Sequence, residues 1–373
     1  VKNIKKLLKI NNLRVFFHRF GRELEWFYTH RLIRRRHLKV KIVAIAKNEA
    51  CYLPEWLAHH LSFGFDHISV YVNNTDDNTE QISAKLASND KVEFLNGDVF
   101  FKPSIDAPQV EIYRHELKRS REQKFSHVFF LDIDEFWTPK NLDSNIHQHL
   151  QNVDADVVCF EWVNRCNENE SFLPALQSNI EGVKGNHVKS AVGTHVIPEA
   201  INPHNVYAYK AKYSLADGSN FSVARDNYAK IRYGKDISDV KPSFVLHRMY
   251  RSQEEYVALL LRGRPIQNRQ FADILKTNRG GYVPRYASVK LRFEKGQLER
   301  YRSNLEKFLV QYDLLVEIET AKPFVQQKRK ELIELINSAP KELAPIFKKI
   351  LNRVTLSDVV DAHEHFKKRH DLL

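Results

Sequence analysis

The 373-residue chain reads as an α/β protein, an open and mostly parallel sheet flanked by helices, with a basic amphipathic arm before it and an all-helical region after it. Three observations predict this. From residue 40 onward, short apolar runs alternate with stretches of helical spacing, the pattern of parallel strands joined by crossover helices. Several of those runs end in polar clusters, at the sheet edge where open α/β folds place their sites. Beyond about residue 291 the strand-like runs stop and amphipathic helical segments take over.

The elements follow in order. Val40 to Ala46 is a short buried strand ending in Lys47-Asn48-Glu49. Residues 52–63 carry Leu53, Trp56, Leu57, His60 and Leu61 at helical spacing, and Gly64 can end that helix. Residues 67–72 form a second strand, followed by the polar turn 73–79 and a helix through Leu86. Residues 91–95 form a third strand and 110–124 a charged helix. Residues 127–131 are a fourth strand, delivering Asp132-Ile133-Asp134-Glu135, and 156–163 another buried one. Residues 164–246 read as short strands and loops, with turns at Asn202-Pro203 and Asp217-Gly218. From Gln253 the pattern is helical, with breaks expected around Ala321-Lys322-Pro323 and Ala339-Pro340. The division is an arm at 1–39, a catalytic domain at 40–290 and a helical region at 291–373.

The net charge of +12 suggests a polyanion partner, but it is unevenly placed. Residues 1–40 hold twelve Lys/Arg against two Glu, whereas 41–290 is near neutral. The arm sets Ile4, Leu7, Leu8, Phe16, Phe17 and Phe20 against a basic face. That suits an anionic membrane surface or packing on the protein's own body. No recognition module accompanies the charge, so nucleic acid is the weaker reading. Cys51, Cys159 and Cys166 form no CxxC pair and do not suit a disulfide framework, which points to reduced thiols in the cytoplasm. No window approaches a membrane span, and Arg14, His18 and Arg19 break the early apolar run that a secretory signal would need.

Asp132-x-Asp134, directly after an apolar strand, is the most informative feature. Alternate residues at a strand end point the same way, so two carboxylates can converge on one hard cation and leave positions open for phosphate oxygens. The competing reading is an Asp-rich turn that only caps the next helix. Glu55 with His59-His60 lacks the H-E-x-x-H of zinc proteases, so zinc is not expected.

Ala46-Lys47-Asn48-Glu49, residues 52–60 with Glu55-Trp56, Gly64 to His67, Asn73 to Thr79 and Leu131 to Phe136 resemble, in order and spacing, the family-2-like glycosyltransferases of the GT-A fold. They resemble most the branch with a KNE…EW…DxDEF signature. The resemblance covers about residues 40–265. It implies a GT-A-type nucleotide-sugar-binding sheet, a Mn²⁺ or Mg²⁺ ion on the DxD, and transfer with inversion to a glycan acceptor, a UDP-sugar being the favoured donor. Lys47, Asn48, Glu49 and Asp77 would then line the donor. Asp132 would serve the ribose and the metal, and Asp134 the metal directly. His247 resembles the distant third ligand; the alternative is a cap on the helix after Ser252. Lys189 and His204 resemble elements that touch diphosphate or acceptor, and Arg251, with Arg262 and Arg264, would meet phosphates. Two positions depart from the family pattern: Val72 stands where an acid is common, and Asn78 where Gly is common.

An inverting transfer needs a general base near the acceptor hydroxyl. Glu161, Asp217 and Asp226 are alternative candidates, each equally readable as an ordinary carboxylate. The function expected is cell-surface polysaccharide or lipopolysaccharide synthesis by a peripheral enzyme on the inner face of the cell membrane. The helical region would pack on the catalytic body, with homodimerisation as the alternative. Competing functions are a nucleotidyltransferase or sugar-nucleotide hydrolase, disfavoured by the missing Gly-rich phosphate loop, and a non-catalytic membrane or nucleic-acid adaptor on the same scaffold.

Overall fold

A computed structural model describes residues 38–102, 104–166, 168–233, 239–263, 274–282 and 287–372. The arm expected at 1–39 falls almost wholly outside the described residues, as does Arg264.

The chain begins as the alternation predicts. β1 (Val40–Ala46), α1 (Leu53–Ser62), β2 (His67–Val72), α2 (Thr79–Lys85), β3 (Val92–Asn96), α3 (Pro108–Glu122) and β4 (His127–Phe130) build four parallel strands in the order β3-β2-β1-β4. Helices on both faces bury these strands, which is why they read as near-continuous apolar runs. The exception, Lys41 within β1, is fully buried and pairs with Glu116 of α3 at 2.8 Å. α1 starts on Pro54, whose missing N–H falls where a helix has no use for it. It ends before Gly64, whose φ of +83° suits a glycine just past the cap.

The second half is mixed. β5 (Glu135–Pro139), α4 (Ile146–Gln151), β6 (Val157–Arg165), β7 (Asn179–Gly193), the short β8 (Ala200–Ile201), β9 (Val206–Tyr207) and β10 (Tyr213–Leu215), and β11 (Ser243–His247) follow. The sheet continues β4-β7-β6-β11-β5, and β7 enters antiparallel to both β4 and β6. The mostly parallel sheet expected is therefore parallel in its first four strands and mixed beyond them. β7 runs for 15 residues through a region where only short strands were expected. Its three glycines and interspersed polar residues hide the period of two.

α5 (Gln253–Leu259) opens on a capping box between Ser252 and Glu255. β12 (Val289–Arg292) adds to β7, and α6 (Lys295–Gln311), α7 (Leu314–Ser338), α8 (Ala344–Ile350) and α9 (Ser357–Arg369) complete the chain. The break expected near Pro323 does not occur, because α7 runs straight through it. An interior proline costs roughly 3 kcal/mol, offset here by Ala321, Val325, Leu332 and Ile336, all buried on one side of the helix. The break at Ala339-Pro340 is present. α6 and the first half of α7 share a core with β1, β5 and β6, and the rest of α7 packs with α5, α8 and α9. His59 shows the first junction: fully buried, it meets the Tyr301 hydroxyl of α6 and the Trp137 carbonyl of β5, both at 2.8 Å.

Candidate active site

The carboxyl ends of β1 and β2 are stitched together by side chains. Asn48, in a left-handed conformation at φ +55°, accepts the Asp76 N–H through Oδ1 at 2.8 Å and donates its own N–H to the Thr75 hydroxyl at 3.0 Å. Asp77 accepts the Ala50 N–H at 2.8 Å and the Thr79 hydroxyl at 2.5 Å. Both residues therefore shape the loops first. Glu49 is buried and paired with Arg251 at 3.4 Å and with Arg262. Arg251, itself at φ +53°, stacks on the Tyr52 ring, its guanidinium carbon 3.4 Å from the ring centre. Lys47 lines the same cleft.

Asp132 and Asp134 lie in the turn between β4 and β5 rather than on a strand end, and their carboxylates find different partners. Asp132 accepts from Lys189 at 3.2 Å and is more than a third exposed, whereas the fully buried Glu135 accepts from Lys189 at 2.7 Å. Burial works against the Lys189 charge, but Asp132 and Glu135 overcome it and hold its pKa above the ordinary lysine value. Lys189 is thus fully buried as the internal counter-ion of the turn.

Asp134 faces His247 at 3.5 Å and Arg279 at 3.9 Å. Burial would raise its pKa, yet His247, Arg251 and Arg279 hold it well below the usual carboxylate range. The β5–β11 ladder sets His247 opposite Glu135, and the Arg248 N–H donates to the Asp134 carbonyl at 2.8 Å. His247 places Nδ1 3.0 Å from the Asn164 side-chain oxygen. Nδ1 then donates to that oxygen, and Nε2 is the atom left facing Asp134, where a bound cation would replace the proton that pairs it with the carboxylate. A carboxylate and an imidazole lone pair at that separation suit one divalent cation. Among the described residues no group of three His, Cys, Asp or Glu converges. A Mg²⁺- or Mn²⁺-type ion held by two side chains takes its other oxygens from phosphate and water.

Around these carboxylates stand Arg251, Arg262, Lys276 and Arg279. Burial, with Arg262 and Arg279 beside it, pushes the Lys276 ammonium well down, and burial likewise lowers Arg279 despite Asp134. With Lys47 and Lys328, six basic side chains stand against the four carboxylates of Glu49, Asp76, Asp134 and Glu255, which leaves the cleft short of negative charge, a deficit that a diphosphate meets. Lys276 and Arg279 were missed in the sequence because they follow no strand or motif. The only cue is the Gly280-Gly281 turn after them. Gly281 sits at φ +107°, and a Cβ there would lie 2.5 Å from the Asn352 carbonyl oxygen.

Of the remaining candidates, the three carboxylates find partners or solvent elsewhere, while His204 reaches the cluster only through Trp162. Glu161 is buried against Lys184 at 3.0 Å and accepts the Lys241 N–H at 2.9 Å, while Asp217 pairs with the Lys241 ammonium at 2.5 Å. Asp226 is exposed. His204 stacks on His187 at 4.6 Å and meets the edge of Trp162 at 4.9 Å, and Trp162 in turn stacks on His247 at 4.3 Å. Burial, with Lys189 nearby, pushes the His204 pKa down to about 2, so it is no cationic phosphate clamp.

Residues 41–186 match the model of glycosyltransferase family 92. The catalytic stretch is a glycosyltransferase's. That stretch carries the Lys47–Glu49 loop, the Asp132–Asp134 turn and β6 with the first half of β7, while His247, Arg251, Arg262, Lys276 and Arg279 come from beyond it. No curated protein matches the sequence significantly. The glycosyltransferase chain is similar to the solved structure of S. aureus TarS 1-349 at 11% identity, covering 90% of this chain and 92% of that one with a TM-score of 0.31. It is similar also to HddC from Yersinia pseudotuberculosis at 9% identity, covering 48% of this chain and 89% of that one with a TM-score of 0.29. Overlaps this loose carry no residue roles across.

Proposed function

We propose that this glycosyltransferase moves a sugar from a nucleotide-sugar donor, a UDP-sugar favoured, to a glycan acceptor in cell-surface polysaccharide or lipopolysaccharide synthesis. The reading includes kinship with the family-2-like branch suggested by the KNE and DxDEF motifs. One observation carries it: a cation-rich cleft at the strands' carboxyl ends, gathered around Glu49 and the Asp134–His247 pair. Arg251, Arg262 and Arg279 bind and orient the donor diphosphate, and Lys276 adds a fourth nitrogen. Asp134 and His247 would hold a Mn²⁺ or Mg²⁺ ion, which would supply charge neutralisation on the leaving diphosphate. Asp132, paired with Lys189 and partly exposed, accepts a donor hydroxyl. Inversion requires a general base within reach of the acceptor hydroxyl. Of the three sequence candidates, Glu161 and Asp217 are each neutralised by a lysine and Asp226 is exposed.

The test is release of nucleoside diphosphate from a panel of UDP-, GDP- and CMP-sugars with and without Mn²⁺. Asp134→Ala should lower metal-dependent turnover by about 100-fold or more, the scale of losing a principal electrostatic element of such a site. Unchanged turnover in that variant removes the assigned centre.

No described helix is long and apolar enough to cross a membrane. Attachment to the inner membrane face through the basic arm belongs to this proposal, and its support is the charge of residues 1–40 alone.

A further inference from the structure

The nucleotide-donor reading leaves two features unused: Asn78, which departs from the family pattern, and the helical region that the family match does not reach. They meet. The Asn78 side-chain amide donates to the Glu317 carbonyl at 2.9 Å and to its carboxylate at 2.8 Å, and Lys85 of α2 pairs with Glu317 at 2.8 Å and with Asp313 at 2.7 Å. These bonds pin the start of α7 to the loop after β2. Further along, Arg329 ties α7 to Glu254 of α5 at 3.4 Å and to Asp358 of α9 at 2.5 Å. Between the two anchors, Phe324, Val325 and Lys328 form one wall of a cavity of about 120 Å³. Asn48 and Asp76 line it at the loop side, and Arg251 and Arg262 line it as well.

That volume lies well under the roughly 300–1,000 Å³ of a pocket that encloses a whole small molecule. It accommodates a single ring, with the phosphates of the same ligand left to the arginines. The Phe324 ring is half-buried with the Lys328 ammonium 5.2 Å from its centre, and the Asn48 amide donates to the Asp76 carboxylate at 3.4 Å on the loop side of the same cavity. An aromatic ring and polar groups lining one cavity are the chemistry that holds a heterocyclic base.

Resting on the donor-binding reading, we infer that α7 supplies the outer wall of the nucleobase pocket. Phe324 is its stacking face, the size selects a pyrimidine over a purine, and Asn78 is the positioning residue that holds the wall in place.

Isothermal titration of the full chain with UDP, GDP and inorganic pyrophosphate in Mn²⁺ tests this. The wild type should bind UDP at least about tenfold more tightly than GDP. Phe324→Ala should weaken UDP by about tenfold, the scale of one base–aromatic stack, and leave pyrophosphate unchanged, because pyrophosphate meets only the cation cluster. Asn78→Gly should reproduce the same split between UDP and pyrophosphate, which a general loss of stability would not do. Phe324→Leu keeps the bulk without the ring, so it should fold normally and still lose UDP affinity. Undiminished UDP binding in both Phe324 variants overturns the wall assignment and leaves the glycosyltransferase reading standing. Equal or tighter GDP binding overturns the pyrimidine selection. A wild type that binds pyrophosphate but neither nucleotide overturns the pocket, and one that binds none of the three overturns the donor site beneath it.

Discussion

The Asp132–Asp134 turn rests on one buried cation, and replacing Lys189 by Met should show how much. Lys189 and Glu135 are both fully buried, whereas Asp132 reaches solvent. Methionine fills much the same volume, so packing loss is small and the effect is electrostatic. Removing one partner of a buried pair leaves the other charge uncompensated, which typically costs about 3–5 kcal/mol. Burial already pushes the Glu135 pKa well up despite Lys189. The full cost is therefore read at alkaline pH, where Glu135 stays ionised, and shrinks as pH falls and Glu135 takes up a proton. With a denaturant slope of about 3 kcal/mol per molar urea for a chain of this size, the unfolding midpoint should fall by about 1 M or more. Adding Glu135→Gln to the Lys189→Met chain should restore much of that loss, because the amide oxygen still accepts the Asp132 N–H now donated at 2.8 Å while the stranded charge is gone. Asp132 needs no rescue, since water can take the place of the ammonium. A midpoint shift under about 0.3 M, or a double variant as unstable as the single one, would refute the counter-ion role.

Two further expectations concern pH and the arm. The folded-state pKa of Asp134 is depressed, and that of Glu93 is too: burial opposes its charge, but His67, Arg119, Ser69 and Lys41 overcome it. Both contributions are complete above the unfolded carboxylate range of about pH 4 and are lost as pH falls below it. Urea midpoints measured from pH 7 to 3 should hold nearly level and then drop below about pH 4, and Glu93→Gln should make the drop shallower; a flat profile down to pH 3 contradicts the assignment. Deleting residues 1–38 should abolish binding to anionic phospholipid vesicles while sparing transfer to a soluble acceptor, and equal vesicle binding would sink the membrane role.

The parallel half of the sheet was legible because each strand is a short apolar run with a turn after it: β1 and β2 fall on the residues expected. β5 was not legible. Glu135-Phe136-Trp137 looked like the tail of a polar cluster, and nothing local says that the chain reverses there to pair with β11 more than a hundred residues later. Asp134 and His247 were readable as motif members, and they do meet. Lys189 was readable as a lysine near phosphate, but its burial between Glu135 and Asp132 depends on β7 lying beside β4, a pairing no local pattern announces. Lys276 and Arg279 escaped for a related reason: a cation's role is set by which carboxylate the fold brings to it, and Asp134 and Glu49, which act on them here, lie more than a hundred residues away in sequence. Asn78 was noticed as a departure, and its purpose became visible only once α7 was found lying against it.

The β5–β11 ladder also works as a length-independent ruler. It joins Glu135 to His247 across the sheet whatever the chain does in between, so residues 140–242 can gain or lose segments at their loops without changing the distance from Asp134 to His247. A shift of one residue in that pairing would instead bring Leu246 or Arg248 to the carboxylate and flip every side chain of the strand to the opposite face. Variation among related chains should therefore concentrate in the segments between the two strands, where a loop can change without disturbing the Asp134–His247 pair.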